Sequence, residues 1–333
     1  MKKNSIHGLI RTWSLSLALS LVSGLGLVSA GAAAATDIEL QPLKVSPHVY
    51  YFRGEAGMAS AANKGFMSNA GFVVTNDGVV VFDALATPAL GEAMLKAIRK
   101  ITPQPVRRVV ISHYHADHFY GLQAFKAQGA EVWAHDNGRA SLNSDFTRER
   151  LKQRQAALAP WVDESTRLVP ADRWLDFKDA KSLAFTLGGI RFRIIETAGA
   201  HSPEDVMLFV EDDGVLFAGD LFFSGRIPFV GEADSKLWLS ALDRMLEVKP
   251  RIVIPGHGEA SDKTMQDMQL TRDYLIFLRK KMGEAVAELV PFEEAYQQVD
   301  WSPFAKYPAF QQANRINAYG TYLLMEKESL KKN

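Results

Sequence analysis

The chain concentrates metal-binding side chains directly after a β-branched run at residues 109–111. His113, His115, Asp117 and His118 place four such side chains within six consecutive positions. Neutral imidazole and carboxylate together form a ligand set that Zn²⁺ prefers, and neither a core nor an ordinary surface requires this spacing. A metal ion held here would activate water, so the motif predicts a metallohydrolase.

Three further candidate ligands follow other predicted strands. His201 follows a strand at 191–195, Asp220 a strand at 215–218 and His257 a strand at 252–254. If these strands share sheets and orientation, all seven candidate side chains converge on one edge of the core. Five of the seven histidines beyond residue 35 fit this pattern, and we expect the other two, His48 and His135, to be ordinary surface or core residues.

Alternating β-branched and helical patterns predict a mixed α/β domain. Strands are predicted at 48–52, 71–75, 79–82, 107–111, 131–134, 185–187, 191–195, 206–210, 215–218 and 252–254, and helices at 89–101, 118–127, 139–158 and 235–247. Turn residues at 76–78, 188–189 and 212–214 predict tight hairpins. From residue 261 the strand signal stops, and apolar residues at helical spacing from Leu275 to Leu289 predict a helical segment that packs on the core or on a partner.

The first 35 residues have the pattern of a secretory signal peptide. Basic residues at Lys2, Lys3 and Arg11 accompany an apolar run at 13–28 and a small-residue stretch that ends at Ala35. A transmembrane anchor is the alternative, although Ser and Gly interrupt the apolar run. We therefore expect cleavage near Ala35, a periplasmic or secreted protein, a main domain at 36–260 and a helical extension at 261–333.

Composition limits the partners and the ligands. Beyond residue 35 the chain has 35 basic and 38 acidic side chains, which indicates neither a nucleic-acid nor a membrane partner. We expect a small-molecule substrate, and the sequence does not specify the oligomeric state. The chain has no cysteine, so the fold is held without disulfides and any metal must be bound by His, Asp or Glu.

The candidate ligands lie in motifs that resemble, in order, those of the metallo-β-lactamase superfamily. The motifs are HYHADH at 113–118, GAHSP at 199–203, FAGD at 217–220 and IPGHG at 254–258. The resemblance covers about residues 37–260 and implies an αββα sandwich, in which two sheets lie face to face with helices outside and a dinuclear metal site at one edge.

The same resemblance implies the role of each ligand. It assigns His113, His115 and His201 to a first Zn²⁺, assigns Asp117, His118 and His257 to a second, and makes Asp220 a bridge between them. Iron and manganese tolerate this ligand set as well.

Asp220 also narrows the resemblance within the superfamily. Penicillin-degrading members similar to this chain around His113 carry cysteine or serine at the position of Asp220, whereas glyoxalase II and its relatives carry the bridging aspartate. The chain departs from glyoxalase II in its secretion signal and in lacking a Lys/Arg cluster for glutathione. Its tail at 314–319 is similar to that of secreted zinc metallohydrolases associated with sulfur-oxidation or quinoprotein systems.

The ligand set implies a hydrolytic mechanism. Two ions about 3.5–4 Å apart can share one water and lower its pKa toward roughly 7. The resulting bridging hydroxide would attack an ester, thioester or lactone carbonyl, and Asp117 is expected to orient it and accept its proton. Asp83, which follows the apolar run at 79–82, is the candidate acceptor for the second nitrogen of a ligand imidazole, with a plain strand-end carboxylate as the alternative.

Substrate-binding candidates surround these motifs. Arg226 follows Asp220 closely and could bind a substrate carboxylate through its planar fork, unless it is a solvated arginine. Tyr114, between two ligands, could line the mouth of the site or pack in the core. The segment at 54–69 contains Met58 and Met67 among small residues and is expected to form a mobile flap or an ordinary apolar loop tip.

Three alternatives stay open at this point. A β-lactamase would use the same attack on a strained ring amide. A sulfur dioxygenase with a single iron shares the implied fold and much of the motif. A catalytically silent binding module would be expected to have lost ligands, and no ligand of the pattern is missing here.

Overall fold

The first of two β-sheets places the HYHADH motif at its edge. In the computed structural model, which describes residues 38–331, this sheet has seven strands in sequence order. They are β1 (Leu43–Lys44), β2 (Val49–Phe52), β3 (Ala70–Thr75), β4 (Gly78–Phe82), β5 (Val106–Val110), β6 (Glu131–His135) and β7 (Arg173–Leu175). Strands β1 to β4 pair antiparallel, and β4 to β7 pair parallel. The signal-peptide prediction lies outside the described residues.

The second sheet carries the other candidate ligands. Its order is β12-β11-β10-β9-β8, with β8 (Ser182–Leu187), β9 (Ile190–Glu196), β10 (Val206–Val210), β11 (Val215–Phe223) and β12 (Ile252–His257). All neighbours pair antiparallel except β11 and β12, which are parallel. The three predicted hairpin turns connect β3 to β4, β8 to β9 and β10 to β11.

The two sheets face each other across an apolar layer. Val80 and Phe82 of the first sheet lie in one buried cluster with Phe192 and Phe217 of the second. The rings of Phe82 and Phe217 stack with centroids 5.3 Å apart. Strands that are buried on both faces explain why β4, β10 and β11 are almost continuously apolar in sequence.

Helices cover the outer face of each sheet. They are α1 (Pro88–Ile101), α2 (Ala116–Phe119), α3 (Leu122–Ala127), α4 (Gly138–Leu142), α5 (Asp145–Leu158), α6 (Ser235–Glu247), α7 (Thr264–Asp267), α8 (Gln269–Ala287), α9 (Phe292–Gln298) and α10 (Phe310–Leu330). Met94 of α1 and Phe125 of α3 are buried in the first outer core, and Trp238 of α6 is buried in the second. This order of helix, sheet, sheet and helix is the predicted αββα sandwich, which is confirmed.

Two predicted helices are interrupted in the structure. The pattern at 118–127 breaks at Gly121, where a Cβ would lie 2.0 Å from the carbonyl oxygen of Ala84. The pattern at 139–158 breaks at Ser144, whose hydroxyl accepts a hydrogen bond from Thr147 N at 3.1 Å and starts α5 anew. The short strands β1 and β7 were not predicted, because two or three residues carry too little periodicity to read.

The C-terminal helices help to hold the loop that follows β11. Asn317 of α10 is fully buried, and its Oδ1 accepts hydrogen bonds from Val230 N at 2.8 Å and Gly231 N at 3.2 Å. Its Nδ2 donates to Pro228 O at 2.8 Å and faces the Tyr274 hydroxyl of α8 at 3.1 Å. Because this loop begins beside Arg226, the helical segment supports one side of the site described below.

Among residues 38–331, no helix combines the length and the apolar character that crossing a membrane requires. The division of the chain at residues 35 and 260 stays a prediction.

Candidate metal centre

The first four candidate ligands lie between β5 and α3. His113 and His115 occupy the loop after β5, and Asp117 and His118 lie in the single turn of α2. The His118 backbone N–H donates to His115 O at 2.9 Å, and this hydrogen bond closes the turn that holds the ligand residues. Tyr114 N donates to the buried carboxylate of Glu204 at 3.1 Å, which fixes the loop between the first two histidines.

The other three ligands come from the second sheet, and two lie inside strands rather than beyond them. His201 lies in the loop between β9 and β10, as expected, whereas Asp220 is within β11 and His257 is the last residue of β12. The pairing of β11 with β12 is irregular around Gly219, which has a φ of +54°. This bulge turns Asp220 toward the metal centre without ending the strand, so the expected strand end at residue 218 is wrong.

Gly256 makes this approach possible. A Cβ at Gly256 would lie 2.0 Å from Asp220 Oδ1 and 2.7 Å from the Gly219 backbone. Only glycine therefore lets β12 pass the carboxylate at this distance. The close approach of β11 and β12 thus explains the glycines that precede Asp220 and His257 in the sequence motifs.

All seven candidate side chains meet in two adjoining groups. The ligand atoms of His113, His115, His201 and Asp220 lie within 4.8 Å of one another, and so do those of Asp117, His118 and His257. His113, His118, His201 and His257 are almost completely buried, and the side chain of Asp117 is 12% exposed. One face of the centre is therefore open to a ligand.

Asp220 lies between the two groups and turns one oxygen to each. Its Oδ1 is 3.1 Å from His118 Nε2 and 3.3 Å from His257 Nε2. Its Oδ2 is 3.5 Å from His201 Nε2 and 4.0 Å from His113 Nε2. This is the placement that a carboxylate shared by two cations requires.

The hydrogen bonds of His118 and His257 test whether metal ions fit here. His118 Nδ1 lies 2.9 Å from the Asp83 carboxylate, and His257 Nδ1 lies 2.8 Å from Met67 O, so each Nδ1 carries the proton. In the neutral form that binds a metal ion, each imidazole presents an Nε2 lone pair to Asp117 and Asp220, which present only lone pairs in return. A cation between these atoms resolves the conflict, so the donor set fits a metal ion.

Unpaired buried atoms support the same fit. His113 Nε2, His118 Nε2 and Asp220 Oδ1 are buried and make no hydrogen bond. Buried polar atoms in proteins are almost always satisfied, yet here Asp220 Oδ1 lies only 3.1 Å from the unpaired His118 Nε2. Metal coordination would satisfy them together.

The histidines of the first group are neutral. Burial lowers the pKa of His115 to about 4 and that of His201 to about 3. Burial, together with the neighbouring His115 and His118, also holds the pKa of His113 well below its usual value. All three imidazoles are therefore in the neutral form that a metal ligand requires.

The second group has the opposite electrostatics because its histidines lie next to carboxylates. Burial acts to lower the pKa of His118, but Asp220, Asp117 and Asp83 outweigh it and raise that pKa well above its usual value. Burial acts to raise the pKa values of Asp117 and Asp220, yet the adjacent His118 and His257 hold both of them low. Both carboxylates are thus ionised and available to a cation.

Asp83 connects the two ligand groups through hydrogen bonds. Its Oδ1 accepts from Ser112 N at 2.7 Å, and its Oδ2 accepts from the Ser112 hydroxyl at 2.8 Å and from His118 Nδ1. The same hydroxyl lies 2.9 Å from His113 Nδ1. Asp83 adopts a left-handed φ of +61°, a conformation that Asp and Asn tolerate better than most residues.

A cavity of about 800 Å³ of empty space, counted to its open mouth, leads to Asp117, Asp220 and His257. Arg226 also lines it; this residue is 5% exposed, and its Nη1 donates to Gly57 O at 3.1 Å and lies 3.5 Å from His257 Nδ1. Arg226 is therefore a buried residue of the site and not a solvated arginine. Tyr114 lines the cavity as well, but its ring packs against Phe119 and Trp174.

The segment at 54–69 lies beside the cavity. Met58 and Met67 line it, whereas Phe66 packs on the first outer core. Ala61 O accepts a hydrogen bond from Trp161 Nε1 at 2.9 Å, which attaches the segment to the chain after α5. The mobility of this segment stays a prediction.

Three cavity residues had no signal in the sequence. Phe146, Arg150 and Arg154 lie on one face of α5 at a spacing of four. Residues on a solvated helix face have the same spacing, so only the tertiary structure shows that this face of α5 lines the cavity.

His48 and His135 lie outside both ligand groups: His48 Nδ1 is 2.8 Å from Asp213 Oδ1, and the His135 ring stacks on Phe177.

Comparison with known proteins agrees with this geometry. The chain is 21% identical over 263 residues to a linear primary-alkylsulfatase of a Pseudomonas species, which covers 68% of this chain and 49% of that protein. It is 24% identical over 223 residues to the metallo-beta-lactamase IND-1 of Chryseobacterium indologenes, with 66% of this chain and 81% of that protein covered. This chain thus spans about half the length of the alkylsulfatase.

Solved structures show the same fold. The sec-alkylsulfatase Pisa1 from a Pseudomonas species superposes with a TM-score of 0.65 at 20% identity, over 86% of this chain and 50% of that chain. A metallo-beta-lactamase from Pontibacter korlensis superposes with a TM-score of 0.53 at 22% identity, over 72% of this chain and 99% of that chain.

The family model of the metallo-beta-lactamase superfamily matches residues 63–257, which is more than half of the chain and contains all seven candidate ligands. The narrower likeness to glyoxalase II and to sulfur-oxidation or quinoprotein hydrolases stays a prediction. The match, the layer order and the paired ligand groups lead to one conclusion: this chain belongs to the metallo-beta-lactamase superfamily.

Proposed function

We propose that the protein uses two zinc ions to hydrolyse an ester, thioester or lactone of a small and partly apolar molecule. The observation that carries the proposal is the position of Asp220, whose two oxygens face two separate groups of imidazole nitrogens beneath an open cavity. The mixed apolar and cationic lining of this cavity supports a small-molecule substrate.

The ligand roles follow from the two groups. His113, His115 and His201 would hold one ion, Asp117, His118 and His257 would hold the other, and Asp220 would contact both. All seven donors are nitrogen or oxygen, which suits zinc and tolerates iron or manganese. When bound, the ions supply Lewis acidity that lowers the pKa of water and polarises a carbonyl oxygen.

The protein's own residues orient the reactants. Asp117 is ionised and partly exposed to the cavity, so it can accept a hydrogen bond from the attacking water and then its proton. Arg226 lines the cavity beside His257, where its guanidinium would bind a negatively charged oxygen of the substrate. Apolar neighbours such as Phe223 and Phe229 exclude water and strengthen both interactions.

The direct test combines metal analysis with a substrate panel. Protein purified from its native compartment is assayed for zinc, iron and manganese by mass spectrometry, and for hydrolysis of esters, thioesters and lactones. We expect about two zinc ions per chain and turnover of at least one class. His115→Ala should abolish turnover with the circular dichroism spectrum retained, whereas the control His48→Ala, outside both groups, should keep the wild-type rate. Wild-type turnover by His115→Ala would contradict the proposal.

Sulfate-ester hydrolysis is the second candidate. It is favoured by Arg226, a buried guanidinium beside the metal centre that could bind a sulfate oxygen, and by the similarity to two alkylsulfatases. Sulfate release from dodecyl sulfate at a higher kcat/KM than that of any carboxylic ester would select this reaction. Penicillins and carbapenems in the same panel test β-lactam hydrolysis.

Iron in place of zinc, with oxygen consumption in the presence of a persulfide, would select the dioxygenase instead.

We also propose that the protein is exported after cleavage near Ala35. Amino-terminal sequencing of the mature protein tests this, because an intact Met1 in the purified material would contradict it.

A further inference from the structure

Helix α5 presents two arginines to the cavity that have no carboxylate partner. Arg150 and Arg154 line the cavity one helical turn apart, and among the described residues neither forms an ion pair. Arg150 instead lies over the ring of Phe146, 5.0 Å from its centroid.

The other cations of the same helix behave differently. Arg148 Nη2 pairs with Asp145 at 2.6 Å, and Lys152 Nζ pairs with Glu149 at 3.7 Å, both on the solvent side. The helix therefore neutralises its outward cations and leaves its cavity-facing cations free. Two like charges at this spacing repel each other, which destabilises the helix unless an anion lies between them.

Tyr120 supplies an independent observation at the same wall. Its side chain is completely buried, it lines the cavity, and its hydroxyl has no hydrogen-bond partner. The charges of Arg150 and Arg154 both act on this hydroxyl. A buried O–H donor without an acceptor is rare, and an oxyanion beside the two arginines would provide one.

We propose that Tyr120, Arg150 and Arg154 form a binding site for a free carboxylate of the substrate, here termed the α5 anion site. A carboxylate fits because its two oxygens match the planar fork of a guanidinium and can also accept the phenol hydrogen bond. The proposal rests on the proposed function and narrows it: the preferred substrate is an ester or thioester that also carries a carboxylate, such as a half-ester of a dicarboxylic acid.

The site is separate from Arg226. Arg226 comes from the loop after β11 and lies beside His257, where it would bind the reacting group under the proposed function. Arg150 and Arg154 come from α5, and the charge of the metal-centre residue Asp117 acts on Arg150. A substrate held at both places would have its ester directed at Asp117 and Asp220.

A matched pair of esters tests the proposal on the purified metal-loaded enzyme. Mono-4-nitrophenyl adipate and 4-nitrophenyl hexanoate have the same chain length and leaving group and differ only in the terminal carboxylate. We expect the wild-type kcat/KM to be at least about tenfold higher for the adipate ester. Arg150→Gln and Arg154→Gln should each reduce this ratio by about tenfold, and Tyr120→Phe by a few-fold.

The controls are Arg148→Gln and Lys152→Gln, which lie on the solvent side of the same helix and should keep the wild-type ratio. A second readout does not need turnover: calorimetric titration with adipate, which should bind about tenfold more weakly to Arg150→Gln than to the wild type.

The outcomes separate this proposal from the proposed function. Equal kcat/KM for both esters, together with equal adipate affinity in wild type and Arg150→Gln, would overturn the α5 anion site while ester hydrolysis stands. Adipate binding that depends on Arg150, without hydrolysis of either ester, would support the site and contradict ester hydrolysis.

Discussion

Replacing Asp83 by asparagine should weaken zinc binding without unfolding the protein. Asp83 accepts three hydrogen bonds, and the one from His118 Nδ1 leaves His118 Nε2 free as a lone pair toward Asp220. In Asp83→Asn, one oxygen still accepts from Ser112 N, but the amide NH₂ faces His118 Nδ1. The imidazole then accepts at Nδ1 and carries its proton on Nε2, where a metal ion would bind.

The magnitude follows from this change of tautomer. Loss of a carboxylate that orients a ligand imidazole typically costs 10–100-fold in metal affinity, which is about 1.4–2.7 kcal/mol. The metal-free protein should lose much less, because the new Nε2–H donates to Asp220 Oδ1, 3.1 Å away, which is otherwise unpaired. Asparagine also tolerates the left-handed backbone at this position.

The assay is a zinc competition titration with a chromophoric chelator, paired with urea unfolding of the metal-free protein. Asp83→Ala is the matched comparison, because it removes all three hydrogen bonds and places alanine at a φ of +61°, for which we expect about 1–2 kcal/mol of backbone strain alone. Asp83→Asn should therefore lose affinity with near wild-type stability, and Asp83→Ala should lose both. Unchanged zinc affinity in Asp83→Asn would refute the tautomer argument.

Three further predictions concern the bridge, the helical segment and acid stability. Asp220→Cys offers one sulfur in place of two oxygens, so zinc measured by mass spectrometry should fall from about two toward one per chain, and retention of two ions with unchanged substrate preference would contradict the bridging role. Asn317→Ala leaves Val230 N, Gly231 N and Pro228 O without partners, so urea unfolding should show a loss of about 3 kcal/mol, against less than about 0.5 kcal/mol for the exposed control Gln311→Ala. Burial acts to raise the pKa of Asp213, but hydrogen bonds from Ser46 and His48 outweigh it and lower that pKa. The resulting stabilisation is present above about pH 4 and is lost as the pH falls through the lowered folded-state pKa. The free energy of unfolding of the wild type should therefore exceed that of Asp213→Asn by less at pH 3 than at pH 6. A constant difference between the two proteins would contradict a lowered pKa of Asp213.

The sequence predicts the fold class and the clustering of the ligand residues because both depend on local signals. Buried strands read as apolar runs, the hairpin turns have Gly and Asp at fixed positions, and HYHADH follows a strand directly. The bulge that keeps Asp220 inside β11 could not be read, because it depends on the pairing with β12 and on the space that Gly256 leaves for the carboxylate.

The cavity wall could not be predicted for a different reason. Arg150 and Arg154 have the spacing and composition of a solvated helix face, and only the position of α5 over the metal centre distinguishes them from Arg148 and Lys152. The closeness of Arg226 to Asp220 in sequence makes it a substrate-binding candidate, which stays a prediction, whereas its burial depends on contacts with Gly57 and His257 that are distant along the chain.

We infer that Asp220 joins two metal ions. A crystal structure of the purified protein, with anomalous difference maps on both sides of the zinc absorption edge, measures this directly. We predict two zinc peaks, one bound by His113, His115 and His201 and one by Asp117, His118 and His257, with a different oxygen of Asp220 on each. A single peak, or two peaks of which one has no contact with Asp220, would contradict the account.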